Sequence, residues 1–440
     1  MKTLFISIPI GRHARSLLRS GILKRLMDRP DLRVVLLTPA YQDPDFREEF
    51  SFNGRIFFEN LMAYQHKSSF WERICWRLLH LSQGCKPVAL AILTLRDRLM
   101  CRTVASLYGD LFERYQPDLV VTSSAGFNTQ ADIPLVLEAR RRKVRTLYIV
   151  HSWDNLAGRK GLMVTRPDLL AVWNELMKKE AVTLHHYSPE AVFPVGPPHF
   201  DLYQDPSVVA EREAFLTSLG LDPRKALLTI TTGTRGVDNS YIVQLLEEAM
   251  KVGRFVRPVQ ILCRVHPLDS FTTPFREKYE KLKETSSVVF DFAGRWSPTL
   301  GWDPDRAETV RLVNTLKHSD VAINVSSTIT IEAAILDRPV VNVRFSTAKD
   351  ILEKKALKRP WRYHYRYVHE ARCTYLAEDA EDLIRGINLY LSDPALHRRE
   401  RSLFSEKICY RLDGRSSQRA ADLILHCLNG DPAWNTAARG

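Results

Sequence analysis

The chain lacks a long apolar run. Outside its first residues the longest stretch, Pro87 to Leu95, is well short of the ~20 residues a spanning helix needs, so no transmembrane segment is expected. It carries no GxGxxG fingerprint and no Walker phosphate loop, which argues against dinucleotide redox chemistry and nucleoside triphosphate hydrolysis. Its seven cysteines (Cys75, Cys85, Cys101, Cys263, Cys373, Cys409 and Cys427) are odd in number, widely spaced and never form CxxC. Neither a disulfide framework nor a zinc site is suggested, and a reducing cytoplasmic setting fits. There is no internal repeat and no low-complexity tract. Met1-Lys2-Thr3 followed by Leu4 to Ile10 imitates a signal peptide, but the apolar run is short and ends in Gly11-Arg12-His13 without a small-residue cleavage site. It reads as a first buried strand.

What is present is a globular composition, with 45% hydrophobic and 26% charged residues over 440 positions. That length calls for two or three domains. A net charge of +12 favours anionic partners such as nucleotides, nucleic acid or an acidic membrane surface.

Leu4 to Ile10 is a compact apolar run, Arg12 to Met27 carries Leu17, Leu18, Ile22, Leu23 and Leu26 at helical spacing, and Val34 to Leu37 is apolar again. The unit recurs with Leu119 to Val121, a helix over Ala131 to Arg142, Leu147 to Val150, Leu169 to Val172 and a helix from Glu175. Around residues 197–225, Pro197-Pro198, Asp205-Pro206 and Asp222-Pro223 interrupt the chain, with a short polar helix between them. Alternation then restarts with Leu227 to Thr231, a helix near Tyr241 to Met250, Val259 to Cys263, Val288 to Phe290, a helix through Val310 to Leu316, Val321 to Val325, a helix from Thr328 to Leu336, and Val340 to Val343. This predicts an α/β protein of two doubly wound Rossmann-like domains facing a central cleft. The expected limits are a first domain over 1–200, a linker over 201–225, a second domain over 226–405, and a closing helix and tail over 406–440.

Residues 66–102 read as a helical insertion with Phe70, Trp71, Trp76 and Leu78. Lys67, Arg73, Arg77, Lys86, Arg96, Arg98 and Arg102 against Glu72 and Asp97 make it basic, seven minus two giving +5. Basic amphipathic helices bearing tryptophan can lie on an anionic membrane; a packed helix pair with a solvated basic face is the equal alternative.

Three strand ends in the second half point to phosphate. His318 to Val325 runs into Ser326-Ser327-Thr328 and then a helix, so backbone N–H groups and hydroxyls are presented at a helix start. Glu332, four residues after Thr328, shares its helix face and suits ribose hydroxyls; a simple N-cap is the alternative. Thr231-Thr232-Gly233-Thr234-Arg235-Gly236 offers close backbone approach and a charge partner in Arg235. Arg264-Val265-His266-Pro267 supplies two cationic groups for a leaving phosphate, or a capping pair. Asp43-Pro44-Asp45 and Asp303-Pro304-Asp305 have carboxylate-pair spacing, yet a proline between aspartates is turn chemistry, and a metal-independent enzyme without cofactor is expected.

Pro9-Ile10-Gly11-Arg12-His13, Gly196-Pro197-Pro198-His199-Phe200-Asp201, Arg264 to Pro267, Ser326-Ser327-Thr328 with Glu332, and Asp413-Gly414-Arg415-Ser416-Ser417 together resemble GT-B glycosyltransferases. Within them the pattern is most similar to the branch of CDP-glycerol glycerophosphotransferases and capsule and lipopolysaccharide transferases, and more distantly to UDP-N-acetylglucosamine 2-epimerases. The resemblance implies a second domain that binds a nucleotide-sugar donor, and the three strand ends supply its candidate contacts Thr234, Arg235, Arg264, His266, Ser326, Ser327, Thr328 and Glu332. It implies a first domain that binds a glycan or lipid-linked acceptor, and a last helix, Ser416 to Leu428, that crosses back to it. His151 stands where the glycerophosphotransferases have a histidine-glycine turn, although here Ser152-Trp153-Asp154-Asn155 follows. The epimerase pattern of aspartate, serine and two glycines is replaced by Asn324-Val325-Ser326-Ser327-Thr328.

The acceptor hydroxyl needs a base, and His151 is the candidate, with Asp154 competing. Gly11, His13, Trp153 and Asn155 are the expected acceptor contacts, and Arg159 and Lys160 could reach an anionic substrate. The expected function is transfer of a sugar from a nucleotide-sugar to a surface glycan or lipid-linked acceptor at the inner face of the membrane. Polyol-phosphate transfer or epimerisation of the donor are the alternatives on the same fold. A non-catalytic nucleic-acid or membrane binder is a third class, but no nucleic-acid motif is present.

Overall fold

The computed structural model describes the chain except residues 53, 68, 82–85, 105, 125–129, 158–162, 234–237, 272–274, 293, 347–362 and 431–440. Thr234, Arg235, Arg159 and Lys160 therefore lie outside the described residues. The chain forms two compact units, one of Met1–His199, Ser297–Gly301 and Arg415–Gly440, the other of Phe200–Trp296 and Trp302–Gly414. The proline-interrupted stretch 201–225 thus belongs to the second unit rather than standing apart as a linker.

The first unit is built on β1 (Lys2–Ser7), β2 (Leu32–Thr38), β3 (Ile56–Asn60), β4 (Leu119–Thr122), β5 (Arg145–Ile149), β6 (Leu169–Val172) and β7 (Val192–Pro194). They pair in the order β3-β2-β1-β4-β5-β6-β7, every pair parallel. The central strands are apolar runs because a parallel sheet is covered on both faces: every residue of β4 is buried, as is every residue of β1 after Lys2. The edge strand β3, needed on one side only, is partly exposed.

The helix expected over Arg12 to Met27 is two helices, Gly11–Leu17 and Ile22–Met27. Gly21 divides them at φ +101°, a left-handed conformation that glycine adopts at little cost. The break lets Ile22, Leu23 and Leu26 share a core with Ala420, Ala421, Leu423 and Ile424 of the closing helix Ser416–Asn429, beside an Arg25–Asp422 ion pair of 2.8 Å. The closing helix is thereby part of the first unit.

The insertion forms two packed helices, Phe70–Leu81 and Lys86–Thr103. Leu79, Ala89 and Leu93 pack between them, and Met100 and Val104 meet Ile133 and Leu137 of the Asp132–Arg141 helix. Part of its charge is turned inward: Arg96 is fully buried against Asp97 at 2.9 Å, and Glu72 against His66 at 2.6 Å. Phe70 and Trp71, each 63% exposed, stand out with exposed Arg73, Arg77, Arg98 and Arg102.

In the second unit β8 (Ala226–Thr231), β9 (Val259–Val265) and β10 (Val289–Phe292) precede a short ribbon of β11 (Trp296–Ser297) and β12 (Gly301–Trp302). β13 (Val321–Asn324), β14 (Val340–Val343) and β15 (Tyr375–Ala377) follow. The sheet order is β10-β9-β8-β13-β14-β15, again all parallel. β8, β13 and β14 are buried throughout. Strand order reverses between β1 and β4 in one sheet and between β8 and β13 in the other, and open α/β sheets bind ligands outside the carboxyl ends at such switch points.

Candidate functional site

The switch point of the first sheet is occupied by imidazoles. β1 leads into the Gly11–Leu17 helix, whose first N–H, on Gly11, donates to Leu300 O at 3.0 Å, and His13 lies one residue pair further on. His13 is fully buried; its Nδ1 is 2.7 Å from the Ser123 hydroxyl, just after β4. Its Nε2 is 3.3 Å from Nε2 of His151, which follows β5 and is half-buried. Three neighbouring strand ends thus converge on one pair of rings.

The surroundings of His151 hold it in place. Its Nδ1 is 3.2 Å from the Ser123 carbonyl, and Asn155 Nδ2, 3.5 Å from the same nitrogen, donates to the Tyr148 hydroxyl at 2.8 Å. Asn155 is fully buried and Trp153 nearly so, so both brace the loop from inside, where the sequence suggested acceptor contacts. Asp154 accepts from the Ser152 hydroxyl at 2.6 Å. Burial first, and then Arg15, lower the proton affinity of Arg12, with Asp154 opposing. His199 packs at 3.4 Å from Ser16 Oγ, and burial drives its pKa well below the usual imidazole range.

In the second unit the β8–β13 switch point carries the hydroxyl-rich turn. Ser326 sits at φ +94°, a strained region for a residue with a side chain, of the kind that collects at functional turns. The N–H groups of Ser326 and Ser327, expected to face outward, instead reach the Asn324 side-chain oxygen at 3.3 and 3.2 Å. Ser326, Ser327 and Thr328 remain half-buried. Behind the turn, Tyr365 Oη lies 2.6 Å from Thr330 Oγ1, accepts from Asn342 Nδ2 at 3.0 Å and donates to Ser327 O at 3.3 Å, in a buried polar network.

The other expected donor contacts divide. His266 is half-buried; its Nδ1 accepts the Leu268 N–H at 3.1 Å, which leaves the neutral ring's proton on Nε2 and makes that nitrogen a donor, the polarity a phosphate oxygen needs. Its own N–H donates to Thr232 Oγ1 at 2.7 Å, tying β9's end to β8's. Arg264 is buried and held by Asp291, with Glu308 at 3.6 Å, while Arg311 adds a 3.0 Å contact to Asp291. Its guanidinium is engaged within the protein, where the sequence suggested a phosphate contact. Glu332 is buried and accepts from the Tyr203 hydroxyl, so it is oriented from outside its own helix.

Three of the four paired carboxylates are spent on structure. Asp43 caps the Pro44–Glu49 helix, Asp305 caps Arg306–His318 at 2.7 Å from Glu308 N, and Asp303 pairs with Arg295 at 3.2 Å. Among the described residues no cluster of three or more His, Cys, Asp or Glu is placed to hold a metal ion. No described helix is long and apolar enough to cross a membrane.

Sequence reasoning passed over Ser123, Tyr203 and Tyr365. Ser123-Ser124 had a signal, a hydroxyl pair closing an apolar strand just as Ser326-Ser327 does. Tyr365 had none, lying 41 residues from Asn324.

Two parallel Rossmann-like sheets, each with polar residues at its switch point, and a closing helix returned to the first unit are the elements of the GT-B fold. A family model described as CDP-Glycerol:Poly(glycerophosphate) glycerophosphotransferase matches residues 155–426, and the chain belongs to that family. It is a transferase of the glycosyl or polyol-phosphate kind. The search of curated proteins returns no match. Among solved structures the chain is similar to UDP-GlcNAc 2-epimerase from Neisseria meningitidis bound to UDP-GlcNAc, at 13% identity and TM-score 0.58, covering 98% of this chain and 100% of that one. It is similar to the S. aureus MnaA-UDP co-structure at 14% identity and TM-score 0.57, over 98% and 97%. The wall teichoic acid polymerase TagF soaked with CDPG aligns at 14% identity and TM-score 0.55, over 98% and 89%. At these identities the likeness speaks for the fold.

Proposed function

We propose that this protein transfers a polyol-phosphate group from a cytidine-diphosphate-linked donor to a hydroxyl of a surface-polymer or lipid-linked acceptor. The observation that carries the reading is the family match, which runs from Asn155 through the whole second unit to the closing helix. The second unit takes the donor: Ser326, Ser327 and Thr328 at the switch point and the His266 edge receive the phosphates, and Glu332 the ribose; Thr234 and Arg235 are donor candidates from the sequence alone. Stabilising charge on the leaving nucleotide is the largest catalytic contribution asked of these groups. The first unit takes the acceptor, and His151 is the base, favoured over Asp154 because its ring is held from three sides while Asp154 is engaged by Ser152. Gly11 and His13 line the same end of the sheet.

Transfer of a sugar from a nucleotide-sugar is the second reading, supported by the His151-Ser152-Trp153 sequence in place of the histidine-glycine turn of the glycerophosphotransferases. In either case the transfer is expected to need no divalent cation; Asp43 and Asp305 serve as helix caps and Asp303 pairs with Arg295. The exposed Phe70, Trp71, Arg73 and Arg77 support contact of the insertion with an anionic membrane surface.

The test is product analysis with CDP-glycerol and with UDP-sugars, each with and without EDTA. A new phosphodiester with release of CMP, insensitive to EDTA and lost in His151→Gln, is expected. A glycosidic product moves the assignment to the second reading. An isomerised donor with no transfer overturns both.

A further inference from the structure

Ser123 stands between the two histidines at the switch point of the first sheet. Its backbone N–H is held by Asp132 Oδ2 at 3.3 Å, so its place is set from the Asp132–Arg141 helix. Its carbonyl lies 3.2 Å from His151 Nδ1; a carbonyl only accepts, so that nitrogen carries the proton and Nε2 is the basic one. Its hydroxyl donates to the Ser7 carbonyl at 3.0 Å and meets His13 Nδ1 at 2.7 Å, which makes His13 Nδ1 a donor and its Nε2 basic as well. The two rings touch, with Nε2 atoms 3.3 Å apart, centroids 4.0 Å apart and planes inclined by 49°. His13 has no solvent exposure, so two positive charges at this spacing would repel with little screening from water.

We propose that Ser123 and His13 are positioning residues for His151: Ser123 keeps the proton of each ring on Nδ1, and the ring pair holds one further proton jointly, never two. This rests on the reading of His151 as the base. In the transfer, the acceptor O–H bond breaks and its electron pair forms the bond to the transferred group. The bond to the leaving nucleotide oxygen breaks with its electrons, and the proton goes to His151 Nε2. Because the pair takes one proton, His13 must be neutral at that moment, and a protonated His13 switches the base off. The ionisable groups on the surrounding elements are Arg12 and Arg15 on the His13 helix, Asp132 under Ser123, Asp154 after His151, Tyr148 behind Asn155, and His199 against Ser16.

The test is a pH titration of the whole protein with nitrogen-15 in its histidine rings, followed by NMR and assigned with His13→Gln and His151→Gln. Expected are Nδ1 resonances of both rings that stay protonated throughout. The two Nε2 resonances should move in one common transition, by fractions that sum to a single proton. In His13→Gln the His151 ring should take that whole proton itself. In Ser123→Ala the His13 proton should move to Nε2, and kcat should fall roughly tenfold with both KM values unchanged, the scale of a weakened general base. Two full protons on the pair, movement of His151 alone, or a His151 ring protonated on Nε2 at high pH would each overturn the proposal. If one variant fails to fold, the other still assigns one ring, and its partner is the ring that shares its transition in the wild-type titration and loses it in that variant. Persistent transfer by His151→Gln would remove the base assignment and leave the shared titration standing, so the two failures are distinguishable.

Discussion

Replacing Gly196 by alanine probes the turn that seats the closing helix on the first unit. Gly196 follows β7 at φ +83°, and a Cβ there would stand 3.0 Å from Ser416 Cβ and 3.3 Å from Arg419 Nη2, with Ser416 Oγ closer still. Ser416 begins the closing helix, and Arg419 is nearly buried and donates to Val195 O at 3.0 Å, so neither can move aside without loosening the helix. A left-handed alanine costs about 1–2 kcal/mol, and forcing a methyl into a packed contact costs about 1–3 kcal/mol more. A loss near 3 kcal/mol should lower the melting temperature of the first unit by about 6–12 °C, at the ~2–4 °C per kcal/mol usual for this size. The assay is thermal unfolding followed by near-UV circular dichroism for wild type, Gly196→Ala, Ser416→Gly and the double variant. In the double variant the packing part should be relieved and the backbone part remain, giving a coupling of about 1–2 kcal/mol. A Gly196→Ala protein that melts within a degree of wild type, or a cycle without coupling, would refute the reasoning.

Two further outcomes are expected. Burial pushes His185 down to about 4, against 6.5 for an ordinary imidazole, and its Nε2 donates to Leu156 O at 3.1 Å. The unfolded chain therefore binds a proton that the folded chain refuses between pH 6.5 and about 4, so stability is full above that window and falls through it as pH drops. The loss should reach ~3 kcal/mol at its acid end. Urea unfolding at several pH values should show His185→Gln with a shallower decline than wild type, and equal slopes would count against the assignment. For the insertion, co-sedimentation with vesicles should show binding to anionic but not to neutral lipid, weakened by Trp71→Ala and roughly fivefold by Arg77→Gln. Equal sedimentation of wild type and both variants would show that this face does not meet the membrane.

The α/β class was legible because buried parallel strands must be continuous apolar runs: Leu119 to Val121, Val321 to Ile323 and Val340 to Val343 have few other ways to be satisfied. Local punctuation was less faithful. Gly21 breaks a helix whose apolar spacing ran straight through it, because the break answers to the closing helix some 400 residues later. At the candidate site, residue type at strand ends singled out His151, His266 and the Ser326 turn as candidates, since a polar group that closes an apolar strand is already unusual, while His13 came from the family resemblance.

What the amino-acid sequence alone determined is therefore the alternation, the two sheets and the strand ends where polar chemistry is exposed, all consequences of short-range periodicity. Tertiary structure decided which of those polar groups face outward. Arg264 turns into a carboxylate pair, Asn155 and Trp153 turn inward, and Ser123 joins His13 to His151. Such choices depend on partners distant in the chain, because a buried charge or hydrogen-bonding group must be satisfied by whatever the fold brings beside it.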